Sequence, residues 1–570
     1  MVAECQTQSA LGVDKPTLYE CSPKDAINGA SPQPSTTPDT AFSLMSAGQE
    51  DQDVKNQKSL AFYLALLALV LNVFLYALDA TTLGVAIPAI VAELGGSTLE
   101  SFWATIAYLL AVLVTQPLFA TVSSFLGRKI PLFVASAFFF VGSLIFALAH
   151  DMTQVIVGRV LQGLGGSGLD VLSEIIVTDM TSLKERPLYL GLMALPTVVG
   201  TILGPSLGGI FSTFASWRWI GWFNLPVLGV SSTLSLFFLH LRPLEGSRLP
   251  WSKRLDWVGM PLFAGGITLF ALPISWAGIM YSWSSWPTIL LLLIGATLLG
   301  IFVVYEQWLE NPMIPCRIFH SRTASMTFFG AFLHGASLFS LLQWLPLLYQ
   351  AVPFETVLQS AVTLLPTSIA SVISAAVGVI VVGVVGKGYR WSISFSWALT
   401  AVGSGLLILL DEHSSAAFRG GIPVLWGSGV GLLLRLLFLA NQANVPRVDD
   451  TDVAIGALLT FRLFGGLLGI AACSSIFNSL FTFSITANGP YSDLLTPLKD
   501  PNQAIRFIPT LGGLDLPEDI LFAIKIAYLT PIRAIFYFMT GVGGLGFISS
   551  LFIKDIDLEK TEMGEQRFNA

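Results

Sequence analysis

Residues 60–88 read LAFYLALLALVLNVFLYALDATTLGVAIP, an apolar run broken by a single charge, Asp79. A bilayer-crossing helix needs about 20 predominantly apolar residues, so this stretch alone spans a membrane. Runs of the same kind continue from about Leu60 to Phe483 and again from about Ile520 to Ile553. The whole chain of 570 residues is 54% hydrophobic and only 11% charged, with a mean hydropathy of +0.72. A soluble chain carries about 25% charged residues, so most of this one never meets water. In lipid every backbone N–H and C=O is satisfied internally, which leaves helices or a closed barrel. The runs are too long and too uniform for the alternating segments of about ten residues that barrel strands use. The chain therefore reads as an all-α polytopic membrane protein.

Candidate spans fall at 60–88, 101–123, 130–149, 153–178, 189–212, 219–241, 257–279 and 287–306, then at 324–349, 357–385, 391–410, 421–440, 453–482 and 531–553. This gives fourteen spans within a membrane domain over residues 58–555. Short cytosolic loops concentrate Lys and Arg. With the N-terminus inside, those loops receive Arg128, Lys129, Lys184, Arg186, Arg242, Arg248, Lys253, Arg254, Arg317, Arg322, Lys387, Arg390 and Arg447, and the short outer loops only Arg218 and Arg419. Both termini are expected in the cytosol. Residues 1–57, rich in Ser, Thr, Pro and Gln, cannot bury a core and are expected to form a disordered cytosolic tail. They lack a basic region followed by an apolar one, so the first span is the expected targeting signal. Residues 556–570 form a second cytosolic tail, and an external loop without a glycosylation sequon is expected over about 487–518.

Several soluble functions are excluded at this level. No basic, aromatic-interleaved patch suggests nucleic-acid binding. Cys5, Cys21, Cys316 and Cys473 lack metal or disulfide spacing and are expected as free thiols. Gly163-Leu164-Gly165-Gly166-Ser167-Gly168 fits the dinucleotide glycine pattern, but it lies inside a span with no βαβ context and reads as close packing. Gly383-Val384-Val385-Gly386-Lys387 lacks the phosphate-loop spacing and its Ser/Thr. No cofactor, metal or ATP is expected.

Four motifs follow one another in fixed order along the spans. They are Leu78-Asp79-Ala80-Thr81-Thr82-Leu83-Gly84-Val85-Ala86-Ile87-Pro88, Gly158-Arg159-Val160-Leu161-Gln162-Gly163-Leu164-Gly165-Gly166, Gly200-Thr201-Ile202-Leu203-Gly204-Pro205-Ser206-Leu207-Gly208-Gly209 and Trp217-Arg218-Trp219-Ile220-Gly221-Trp222-Phe223-Asn224-Leu225-Pro226. Together they resemble the major facilitator superfamily, and within it the fourteen-span drug:proton antiporters. Asn311-Pro312-Met313-Ile314-Pro315 and Leu345-Pro346-Leu347-Leu348-Tyr349-Gln350 look like the fungal toxin and multidrug efflux branch. The resemblance covers about residues 60–555. It implies two six-helix bundles with two additional spans and alternating access around a midplane site. It also implies proton-coupled export of a toxic or secondary-metabolite organic compound, with that substrate, protons and the lipid bilayer as partners, and a cell-membrane location.

The superfamily's usual loop between spans two and three reads Gly-x-Leu-Ala-Asp-Arg-x-Gly-Arg-Lys. Here Gly127, Arg128 and Lys129 keep its basic end as a cytosolic gate loop, while Ala120 and Ser124 replace the glycine and the carboxylate. That replacement is the one feature favouring a non-transporting sensor on a transporter scaffold. Proton-coupled uptake of a siderophore or nutrient is a further alternative on the same fold.

Asp79 costs about 2.5–3.5 kcal/mol at a span centre, so it needs a partner, a wet cavity or a proton. A nearby cation and dry surroundings pull its proton affinity in opposite directions, so a movable Arg switches it. The resemblance implies that Arg159 serves this proton coupling; the bland readings are a locally hydrogen-bonded carboxylate and a structural cation on helix carbonyls. Asp170 and Glu174, four apart, share one face of the fourth span and form a candidate proton pathway, or simply approach its cytosolic end beside Asp179. Gly200, Gly204 and Gly208 make a smooth stripe for close helix approach, and Pro205 bends the helix. With Gly209 they match the family's antiporter motif, which implies exchange for protons. His334, Gln343, Trp344 and Arg462 interrupt apolar helices and are candidate substrate-cavity residues, or interhelical hydrogen-bonding groups.

Overall fold

The computed structural model describes residues 58–94, 98–181, 185–241, 256–277, 281–309, 312–385, 388–445, 450–487, 508 and 517–555. The tails expected over 1–57 and 556–570, Cys5, Cys21 and most of the 487–518 loop lie outside these residues. The chain divides into residues 1–58 and a membrane unit, Ser59–Ala570.

The long helices are α1 (Leu60–Leu94), α2 (Thr98–Leu126), α3 (Lys129–Ala147), α4 (Met152–Met180), α5 (Arg186–Phe214), α6 (Trp219–Phe238), α7 (Gly259–Trp276) and α8 (Trp286–Glu306). The second series is α9 (Arg322–Ala351), α10 (Val357–Val385), α11 (Tyr389–Leu406), α12 (Pro423–Asn444), α13 (Thr451–Ala487) and α14 (Glu518–Ser550). No β-strand occurs among the described residues. Among the described residues, thirteen helical stretches are long and apolar enough to cross a membrane; within α7 the apolar stretch Gly259–Ile274 is shorter. At ~1.5 Å per residue it covers ~24 Å, against the ~30 Å of a hydrocarbon core. The all-α polytopic expectation therefore holds; of the fourteen spans expected, thirteen are long and apolar enough to cross a membrane among the described residues, and α7 falls short.

The helices pack in two sixes of the same design. In the first, α1 pairs with α4, α5 and α6, α2 with α4, and α3 with α4 and α6. Adding eight to each number gives the second: α9 pairs with α12, α13 and α14, α10 with α12, and α11 with α12 and α14. The contacts between the halves obey the same exchange, α2 against α13 and α5 against α10. The additional pair α7 and α8 attaches through α7 to α2 and α13. Most of α4 is buried among other helices and most of α8 is not, so α4 is a core helix and α8 a lipid-facing one.

At the end of the molecule that carries Leu60 and Ser550, both halves enter one apolar cluster. Phe62, Tyr189, Met193 and Ile176 from the first half pack with Phe328, Phe438, Ile455 and Leu458 from the second. At the opposite end the first half closes on itself around Leu83, Phe146, Trp217 and Ile220. There Arg218 meets the Glu93 carboxylate and donates to Ala149 O at 2.9 Å, while Trp217 Nε1 donates to Glu93 Oε2 at 2.7 Å. The hydrogen bond from Arg218 holds the Glu93 carboxyl below its ordinary range. A depressed carboxyl pKa stabilises the fold above the unfolded value, and that stabilisation disappears as pH falls through the folded one. Wild type and Glu93→Gln should therefore differ in Tm at neutral pH and converge in acid. A difference that does not change with pH contradicts this clasp.

Two boundaries differ from the sequence reading. The last span is expected from 531, but α14 begins at Glu518 and carries Pro531 inside it. Its charged residues are held, with Lys525 Nζ 3.6 Å from Glu412 and Arg533 donating to Leu410 O at 3.1 Å. Likewise α1 continues past Pro88 to Leu94.

Candidate functional site

Asp79 and Arg159 meet in the interior of the first bundle, each about 1% exposed. Arg159 Nη1 donates to Asp79 Oδ2 at 2.6 Å and to Gln162 Oε1 at 3.1 Å. Its Nη2 reaches Asp79 O at 3.1 Å, its Nε reaches Ala104 O at 3.3 Å, and its guanidinium carbon lies 4.2 Å from the centre of the Tyr108 ring. The other carboxylate oxygen, Asp79 Oδ1, accepts from Asn224 Nδ2 at 2.9 Å and Gln162 Nε2 at 3.4 Å, and Ser143 Oγ lies 3.1 Å from the same Gln162 nitrogen. A buried pair is tolerated when its remaining donors and acceptors are filled, and here they are. Gln162 follows Arg159 by three residues and so shares its face; Asn224 comes from α6 and Ser143 from α3. The candidates Asp79 and Arg159 are thus brought together, while Gln162, Asn224, Ser143 and Tyr108 are members to which the sequence assigned no role.

The glycine stripe of α5 lies on the segment of α1 that holds Asp79. A Cβ at Gly200 would stand 2.7 Å from Phe74 O and 2.8 Å from Leu78 N. One at Gly204 would stand 3.0 Å from Leu78 O and closer still to Thr81 Oγ1, and one at Gly208 would run into Thr82 O. Thr81 Oγ1 also donates to Thr201 O at 3.3 Å. Gly209 is buried, and Pro205 sits inside the helix beside the contact. The glycines of α4 divide between two neighbours. Gly163 and Gly166 abut Tyr108 of α2, and Gly165 and Gly168 abut Ala135 of α3. Residues 163–168 are helical throughout, as the close-packing reading expects.

A second polar layer joins the halves. Asp170 and Glu174 are both 3% exposed and lie on one face of α4. Arg435 of α12 donates to Glu174 Oε1 at 2.7 Å and to Thr197 Oγ1 at 3.3 Å. Asp170 Oδ2 accepts from Gln116 Nε2 at 2.8 Å. Asp170 lies within electrostatic reach of Arg462, Glu174 and Arg435, and Arg462 within reach of Tyr76 as well. The other cavity candidates scatter. His334 is 1% exposed and bonds Val430 O at 3.1 Å, tying α9 to α12. Trp344 is 2% exposed and packs 4.8 Å from the Phe477 ring with its Nε1 unpartnered. Gln343 beside it is half-buried.

In the loop between α2 and α3, Gly127 has φ +79°, a left-handed conformation that favours glycine. Arg128 is 5% exposed, and its Nε donates to Asp179 Oδ2 at 2.9 Å and its Nη1 to Ser123 Oγ at 2.9 Å. Ser124 turns back to Thr121 O at 2.7 Å, and Lys129 Nζ reaches Leu236 O at 3.4 Å. The carboxylate facing Arg128 therefore comes from the end of α4. Breaking such a buried pair by removing one partner costs about 3–5 kcal/mol. Arg128→Ala should lower Tm and membrane yield sharply, and Ser124→Asp should leave both near wild type; an unaffected Arg128→Ala contradicts the assignment. The described thiols Cys316 and Cys473 are free.

The chain matches the Major Facilitator Superfamily over residues 69–470. It is 50% identical over 524 residues to the MFS-type transporter sphD of Aspergillus fumigatus, covering 91% of this chain and 90% of that protein. It is 33% identical over 548 residues to the efflux pump FUS6 of Gibberella moniliformis, covering 95% of each. Among solved structures it resembles a bacterial homologue of the human lysosomal transporter Spinster, with TM-score 0.54 and 15% identity over 87% of this chain and 98% of that one. The chain belongs to the Major Facilitator Superfamily. It is a multi-pass membrane transport protein whose curated relatives include fungal efflux pumps.

Proposed function

We propose that the protein is a proton-coupled secondary antiporter that exports a toxic or secondary-metabolite organic compound from the cell. The observation that carries this reading is the Asp79–Arg159 pair, whose Asp79 lies on the α1 segment that the glycine stripe of α5 packs against. A proton on Asp79 removes the charge that holds Arg159, so protonation and the position of Arg159 are linked. The α1–α5 contact, smooth because Gly200, Gly204 and Gly208 have no side chains, lets α5 slide as that link changes. Glu174 and Arg435 join the halves at the same depth of α4 as Asp170, which makes Asp170 and Glu174 the proton pathway's second station. Export, rather than uptake, is supported by the antiporter motif and by relatives named as efflux pumps. With both termini in the cytosol, as the Lys/Arg bias of the loops favours, the apolar cluster around Phe62 and Phe328 closes the cytosolic side. In that arrangement the outer side offers the proton first, and its release inward accompanies substrate loading.

The test is growth of a transporter-deleted fungal strain on amphipathic toxins, with and without this protein. Resistance that falls when the external pH is raised supports proton exchange. Increased sensitivity or increased intracellular toxin on expression indicates uptake and refutes export.

A further inference from the structure

Two buried carboxylates meet where the additional helix pair begins and ends. Asp256 stands just before α7 and Glu306 is the last residue of α8, and they are 6% and 3% exposed. One oxygen of each is supplied with donors. Asp256 Oδ1 accepts from Gly259 N at 2.7 Å, Val258 N at 3.2 Å and the Tyr305 hydroxyl at 3.2 Å, and Glu306 Oε2 accepts from Ile314 N at 3.0 Å. The other two oxygens, Asp256 Oδ2 and Glu306 Oε1, have no donor among the described residues. They converge on one spot above Gly259, where a Cβ would stand 2.9 Å from Glu306 Oε1 and closer still to Asp256 Oδ2. The two side chains are within hydrogen-bond reach of each other.

Two bare acceptors that face one another in a dry site repel, and each is costly to leave unsatisfied. One proton between them removes a charge and supplies the missing donor at once, since carboxylates this close do not both ionise. A metal ion fits less well. The atoms around the pair are N–H and O–H donors, and no group of three metal-ligating side chains occurs among the described residues. Of the neighbouring elements, α7 has no charged residue and α2 has only Glu100, at its far end. Arg317 of the connector after α8 is held by Asp450 at 2.6 Å, and α13 has Asp452 and Arg462, the latter facing Asp170 and Tyr76. We propose that Asp256 and Glu306 bind one proton between them, apart from the Asp79–Arg159 site, and that this proton latches the α7–α8 pair to the connector. The latch reaches the core. Ile314, held by Glu306, packs against the cluster around Phe62 and Phe328, and Met313 is 1% exposed in the cluster of Tyr76, Tyr108 and Leu463. Losing the proton puts two like charges in contact and loosens that joint. With the termini in the cytosol, on which the sidedness rests, cytosolic pH sets the latch.

Thermal stability against pH reads this proton without any transport, so failure of the export reading leaves the test intact. In the unfolded chain both carboxylates ionise near neutral pH, whereas the folded pair keeps one proton. The folded state binds more protons, so stability falls as pH rises. Glu306→Gln puts an amide donor where the proton stood. Its Tm, measured on purified full-length protein, should match wild type at about pH 5.5 and exceed it by at least about 2 °C at about pH 9. Infrared spectra should show a protonated-carboxyl band in wild type that alkaline pH removes and that Glu306→Gln lacks. Asp256→Asn keeps the acceptor for Gly259 and should behave alike; if neither variant folds at any pH, the amide does not replace the proton and the proposal fails. A loss of Tm in Glu306→Gln that is equal at every pH marks a carboxylate held by a cation, such as the upstream Lys253 or Arg254, and overturns the shared proton. Calcium or sodium that raises the Tm of wild type but not of Glu306→Gln marks a metal site and overturns it as well.

Discussion

Asp79→Asn should abolish proton-driven extrusion, by at least about a hundredfold, while the protein still reaches the membrane. The asparagine keeps the shape and can still accept from Asn224 and Gln162, which donate to Asp79 Oδ1 at 2.9 and 3.4 Å. It cannot take up a proton or balance the charge of Arg159. Leaving one partner of a buried pair uncompensated costs about 3–5 kcal/mol, so a fall in Tm accompanies the loss of transport. The two effects are separable. In the double variant Asp79→Asn/Arg159→Gln no buried charge is left over, so stability should recover while transport remains absent. Recovery of gradient-driven transport along with stability would make the pair structural. The same outcome from Asp79→Asn alone, with transport undiminished, would remove Asp79 from the mechanism.

Gly204→Leu should also eliminate transport, through shape instead of charge. A single Cβ at that position would already stand 3.0 Å from Leu78 O and press on Thr81. Overpacking a tight contact costs about 1–3 kcal/mol, but the larger consequence is mechanical. The stripe touches α1 from Phe74 to Thr82, on both sides of Asp79, so a leucine there separates α5 from the segment whose charge state it must follow. The expected result is at least about a tenfold loss of extrusion rate with protein present at the membrane, and Gly204→Ala should fall between. Glycines that abut nothing give the control. Gly229 of α6 has no heavy atom within 4 Å of a built Cβ, so Gly229→Ala should transport as wild type does. Normal transport by Gly204→Leu would leave the stripe as packing alone.

Much of this was legible in the sequence because lipid imposes it. Apolar runs near the length of a bilayer have one stable form, so the spans, the all-α class and the helical glycine runs of α4 followed directly. Asp79 and Arg159 stood out because a charge in such a run requires a partner. The identity of the surrounding groups was hidden for another reason. Asn224 and Ser143 reach Asp79 and Gln162 across three helices, and no local spacing records that 145 positions separate Asn224 from Asp79. The loop between α2 and α3 shows the same limit. Ser124 made the loop look stripped of its carboxylate, whereas Asp179, 51 positions away from Arg128, supplies one. Glu174 and Arg435, 261 positions apart, join only because the two bundles face each other. At the start of α14 the opposite error occurred. The last span was expected to begin at 531, but the helix already runs from Glu518, and its charged Lys525 finds a partner in Glu412.

Extrusion of an amphipathic toxin from sealed vesicles under an imposed pH gradient tests the central claim most directly. The vesicles are sided by protease access to the N-terminal tail, and the gradient can be collapsed with a proton ionophore. Proton exchange predicts extrusion that begins with the gradient, stops when the ionophore is added, and carries protons inward in step with the toxin. Extrusion that persists after the gradient is gone, or that moves no protons, would contradict it.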